Sequence, residues 1–197
     1  MLYGTGGLLY CFLELQKNFG SCEIKDFRVD LKQEIYTLSR FLYFKAINKT
    51  IGVFTIVIFD EEYLGAAHGL FGVLYVMMKA YELTSEYLKV KDPEFEISLL
   101  EALIKSMEFG LGLQFPSGNF SSSTDINEKD ELLQYCHGSP GIIPVLTFGY
   151  SFFMDIKPEL SEKIKIAAIK AGEDLWKRGL LKKGLIYVMV YLGMHML

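Results

Sequence analysis

Tyr135-Cys136-His137-Gly138-Ser139-Pro140-Gly141 runs directly into the apolar stretch Ile142 to Phe153, and this join decides the fold. Pro140 suits the first turn of a helix, and the glycines beside it let backbone come close to whatever the thiol holds. The same plan, small residues and then an apolar helix, occurs twice more. Gly4-Thr5-Gly6-Gly7 precedes Leu8 to Gln16, and Gly65-Ala66-Ala67-His68-Gly69 precedes Leu70 to Tyr81. The spacing of ~60–70 residues indicates a helical repeat array. Between these segments lie amphipathic stretches, Phe27 to Leu42, Glu94 to Phe109 and Pro158 to Arg178. In the last, Leu160, Ile164, Ala167, Ala168, Ala171 and Leu175 share one face. Apolar inner helices alternating with amphipathic outer ones describe antiparallel pairs set around a ring, an all-α class.

The Cys136-His137 pair carries the most specific chemistry. Thiolate and imidazole are donors that zinc prefers. At the mouth of a helix Cys136 meets the positive end of the dipole, which favours thiolate. One pair does not fill a four-coordinate site, and an inert buried thiol is the competing reading.

Composition narrows the classes. The chain has 197 residues, 51% of them hydrophobic and 22% charged, enough for one domain with a real core. A formal charge of −4 and the lack of a basic stripe exclude a nucleic-acid partner. Cys11, Cys22 and Cys136 have no framework spacing, which suits a reducing compartment. The N-terminus does not read as a signal peptide, and it opens as if mid-domain. The longest apolar runs, Thr50 to Phe59 and Leu185 to Leu197, fall short of the ~20 residues that span a bilayer.

Four further readings follow. Gln114 to Ser123 is rich in turn residues and reads as a solvated connection. Phe54 to Phe59, β-branched and aromatic, reads as a lone strand in a helical chain. Cys11, within an apolar helix, reads as core, and Cys22 as a loop residue. Asp60-Glu61-Glu62 supplies carboxylates, but adjacent residues cannot flank a glycosidic bond at the required separation, which speaks against a glycosidase.

The blocks Leu2-Tyr3-Gly4, Lys17-Asn18-Phe19-Gly20, Glu62 to Leu70, Phe115-Pro116-Ser117-Gly118-Asn119, Tyr135-Cys136-His137-Gly138 and Gly179 to Gly184 give the chain a specific likeness. It resembles the LanC-like proteins, eukaryotic relatives of bacterial lanthionine cyclases, over residues 1 to about 40 and 60 to 184. The resemblance implies an α/α toroid, of which a chain this long is about half. It implies zinc held by two cysteines and a histidine, with Cys136 as the first ligand and His137 outside the ligand set. It further implies glutathione as the thiol, added to dehydroamino acids of damaged proteins or peptides. His68 is then the acid that completes the addition, and Lys183 lies near the glutathione carboxylates. A binding or signalling module that holds glutathione without turnover is the alternative. The location implied is cytoplasmic, with peripheral association at the plasma membrane left open.

Two segments depart from that pattern. Leu38 to Phe59 is strand-like where the family is not. After Gly184, residues 185–197 lack the second Cys-His-Gly that supplies the other two ligands. A shifted reading frame accounts for this tail, with an alternative exon or a diverged tail as the other reading: Met189 and Val190 then force a glycine, Met194 and His195 an alanine, and allowed codons elsewhere complete the missing block. Residues 1–184 are thus expected to form a partial toroid domain, residues 185–197 an aberrant tail, and the zinc site to be incomplete and activity impaired.

Overall fold

The computed structural model describes residues 4–20, 30–125 and 129–179. Six helices occur among them: α1 (Gly4–Phe19), α2 (Leu31–Ala46), α3 (Leu70–Lys91), α4 (Pro93–Leu111), α5 (Ser139–Phe153) and α6 (Pro158–Arg178). The chain is all-α, as its periodicity predicts. Proline opens α4, α5 and α6, where its missing N–H costs no helical hydrogen bond. Asp30 caps α2 by accepting from the Lys32 and Gln33 amides, and Asp92 caps α4 by accepting from Phe95.

Consecutive helices pack as hairpins, α1 with α2, α3 with α4 and α5 with α6. The first members also touch one another in the order α1, α3, α5, forming the inner layer. Tyr10, Tyr75 and Phe148 cross that layer, the first pair tilted and the second T-shaped, with ring centroids 6.5 and 5.6 Å apart. α3 is buried over most of its length, including Leu70, Phe71, Leu74, Met77 and Met78. α6 instead buries one stripe, Leu160, Ile164, Ala167, Ala171 and Leu175, and leaves Ile166, Ile169 and Trp176 exposed. Inner and outer layers therefore differ as the apolar and amphipathic patterns require.

The strand reading needs correction. α2 runs to Ala46, so the first part of the strand-like Leu38 to Phe59 segment, Leu38 to Ala46, is helix. The strands that follow are not alone. Ile47–Asn48 (β1) pairs antiparallel with Val53–Phe54 (β2), and Val57–Ile58 (β3) with Glu61–Glu62 (β4). Leu42, Ala46, Val53 and Phe54 of this segment belong to the core. Cys11, expected in the core, is exposed on α1, because the buried positions of that helix are Leu9 and Leu13.

Candidate functional site

The site is built where two glycine-rich connections meet at the ends of inner helices. The first, residues 63–69, leads into α3. The Leu64 amide donates to the Ser122 carbonyl, the Leu70 amide to the Tyr63 carbonyl and the Gly69 amide to the Gly65 carbonyl. The second, residues 129–138, leads into α5. Within it Gln134 and His137 exchange backbone hydrogen bonds of 2.8 and 3.2 Å. The two connections press together so closely that a side chain at Gly65 would overlap the Cys136 carbonyl. That contact explains the glycine and puts residues far apart in sequence on one site.

Three rings converge there. His68 and His137 have centroids 5.1 Å apart, Tyr63 and His68 5.0 Å, and Tyr63 and His137 5.6 Å, all edge to face. Cys136 is 6% exposed, with its Sγ 3.7 Å from Gln134 Oε1. His68 and Cys136, both picked out in the sequence, thus lie in adjoining segments. His137, expected outside the ligand set, and Tyr63 complete the cluster. Tyr63 is signalled only by its place in the Glu62 to Leu70 block, since nothing about a tyrosine after a charged run marks it as part of a site.

The electrostatics differ from the sequence expectation. Burial lowers the His68 pKa, and the nearby His137 lowers it further. Its imidazole is therefore neutral near pH 7. For Cys136, burial raises the pKa, and backbone hydrogen bonds from its own amide and from His137 offset this only in part. Burial thus works against the thiolate that the helix dipole favours.

The Gln114 to Ser123 loop, expected to be a solvated connection, is interior from Gly118 onward. Asn119, Phe120, Ser121, Ser122 and Ser123 are buried, and antiparallel bridges join Gln114 to Phe120 and Tyr63 to Ser123. Turn-forming composition marks where a chain reverses; it does not say whether the turn faces water or a neighbouring element.

No group of three His, Cys, Asp or Glu able to hold a metal occurs among the described residues. The donor set around Cys136 therefore does not fit a complete zinc site. Lys183, Cys22 and the tail 185–197 lie outside the described residues. Away from the cluster, a depression of about 440 Å³ between the end of α4 and α6 is lined by Glu108, Gln114, Lys163 and Lys170; none of these belongs to the cluster. No helix among the described residues is long and apolar enough to cross a membrane.

A family model described as lanthionine synthetase C-like protein matches residues 1–186. A relative from Danio rerio, described as glutathione S-transferase LANCL1, is 36% identical over 127 residues, which is 64% of this chain and 27% of that protein. The chain thus spans about a quarter of the length of this relative.

Proposed function

This chain belongs to the lanthionine synthetase C-like family, and on that premise we propose that it handles glutathione as a thiol for addition to dehydroamino acids. The observation that supports the reading best is the meeting of His68 with the Cys136-His137 segment, rings 5.1 Å apart across 69 positions of sequence. The name of the similar Danio rerio protein, a glutathione S-transferase, supports the thiol.

The chemistry needs a group that removes a proton and then returns one. Neutral His68 accepts the proton of the glutathione S–H. The sulfur electron pair bonds to Cβ of the dehydroamino acid, and the π electrons of its double bond move to Cα and the adjoining carbonyl as an enolate. The His68 imidazolium then gives its proton to Cα. One S–H is consumed, one S–C and one C–H bond are made, and His68 ends neutral. A lowered pKa suits the first half of this cycle, so His68 acts as base before it acts as acid.

The resemblance gives Cys136 to zinc and Lys183 to the glutathione carboxylates, and both assignments are part of the proposal. Because the described donors do not complete a metal site, the steps above do not pass through it. The chain is expected to hold zinc weakly and to turn over slowly. Binding without turnover is the second reading, favoured by the burial of Cys136 and the raised pKa of its thiol. The domain reading, residues 1–184 as partial toroid and 185–197 as aberrant tail, and a cytoplasmic location belong to the same proposal.

The test is glutathione addition to a dehydroalanine peptide, followed by mass spectrometry, with zinc content measured on the same sample. Slow addition is expected, falling by a factor on the order of 100 in His68→Ala, with zinc well below one per chain. Addition that survives His68→Ala unchanged removes the mechanism. Glutathione binding by calorimetry with no product selects the second reading.

A further inference from the structure

Asn119 is 1% exposed and fills every hydrogen-bonding position its amide has. Its Nδ2 donates to Asp130 Oδ1 and to the Leu132 carbonyl, each at 2.9 Å. Its Oδ1 accepts from the Ser139 amide and the Ser139 hydroxyl, each at 2.9 Å. One side chain thus grips both ends of the stretch 132–139, which carries Cys136 and His137. It also caps α5: the N-cap residue is Gly138, which has no side chain to do so. Gly138 has φ +103°, and a Cβ there would run into the Leu132 carbonyl and Asn119 Oδ1.

A second grip backs the first. Arg178, at the end of α6, forks onto Asp174 through Nε and Nη2, both at 2.7 Å. Its Nη2 also donates to Asp130 Oδ1 at 2.7 Å and its Nη1 to the Asp130 carbonyl at 3.1 Å. Asp174 is 4% exposed, so the guanidinium is fixed from the helix side. The path runs from α6 through Arg178, Asp130 and Asn119 to the turn beside His68.

We propose that Asn119 and Arg178 are positioning residues that hold the Cys136-His137 turn against His68. Their purpose rests on the glutathione reading above; their geometry does not. Without either grip, the stretch 132–139 opens locally while the helices remain, and the Cys136 thiol becomes accessible.

The experiment is alkylation of the native 197-residue chain with iodoacetamide, read at Cys136 by mass spectrometry against exposed Cys11. Circular dichroism tracks helix content. Arg178→Ala is expected to speed alkylation of Cys136 ~10-fold, the change that follows from ~1.4 kcal/mol of easier local opening. Arg178→Lys, which keeps the charge without the fork, recovers part of the protection. Lys177→Ala, exposed on the same turn, leaves it unchanged. Asn119→Ala has the larger effect. Should it lose helix content altogether, Arg178→Ala decides. Cys136 protection unmoved in Arg178→Ala, with the helices intact, overturns the proposal even where glutathione addition proceeds. Protection lost as expected in a chain with no glutathione addition or binding leaves the positioning role standing and removes the functional reading.

Discussion

The two connections that enter inner helices, residues 47–69 before α3 and residues 112–138 before α5, do the same task by different means. Both bring a histidine to the site through a glycine-rich segment. The first is held by main-chain pairing, β1 with β2 and β3 with β4. Its tip is open: Phe59 is 92% exposed, and Phe59 and Asp60 sit at φ 53° and 65°. The second depends on the buried amide of Asn119 and the guanidinium of Arg178. Main-chain ladders are indifferent to most side chains. A buried side-chain network is not, because removing one member strands the others without water to replace it. The exposed hairpin tip of the first connection should therefore tolerate substitution, and the Asn119 network of the second should not.

The sharpest way to break this contrast is Asn119→Ala. It leaves the buried Ser139 amide without its partner, and a loss of about 3 kcal/mol is expected in urea unfolding. A loss under about 1 kcal/mol would put the two connections on the same footing.

Acidity tests the second grip. Burial opposes the Asp130 carboxylate, but hydrogen bonds from Ser117, Arg178 and Asn119 outweigh it and leave its pKa below the ordinary value. A depressed carboxyl pKa gives stability that is complete above the unfolded-state value, ~3.9, and is lost as pH falls through the lower folded value. The wild-type chain should thus lose stability more steeply below pH ~4 than Asp130→Asn does. Parallel curves for the two would show that the Asp130 charge contributes nothing.

The smallest effect belongs to the hairpin tip. Phe59→Asn exchanges an exposed aromatic in the left-handed region for a residue that adopts it readily. Unfolding free energy should rise by about 0.5 kcal/mol, with Cys136 alkylation unchanged. A fall in stability would mean that the tip matters to the fold as much as the buried loop does.

The helical plan was legible because periodicity reports burial directly. The Pro158 to Arg178 pattern matches α6 residue for residue, and the apolar stretches at Leu70 and Ile142 open α3 and lie inside α5. The glycines beside Cys136 read as room for whatever the thiol holds; Gly65, Gly69 and Gly138 instead let main chain pass close to main chain. The loop Gln114 to Ser123 misled because its polar residues look like surface residues until their partners are known. Cys11 misled for the opposite reason: an apolar helix still has an outer side, and its position fell there.

From the residues alone came the all-α repeat, the family likeness and the choice of His68 and Cys136 as candidates, all properties of local pattern and short motifs. Tertiary structure alone put His137 and Tyr63 beside His68, buried the Cys136 thiol and raised its pKa, and made Asn119 the fastening of the turn. Such features depend on which distant segments touch and on how much water is left between them, and no pattern within one segment encodes that.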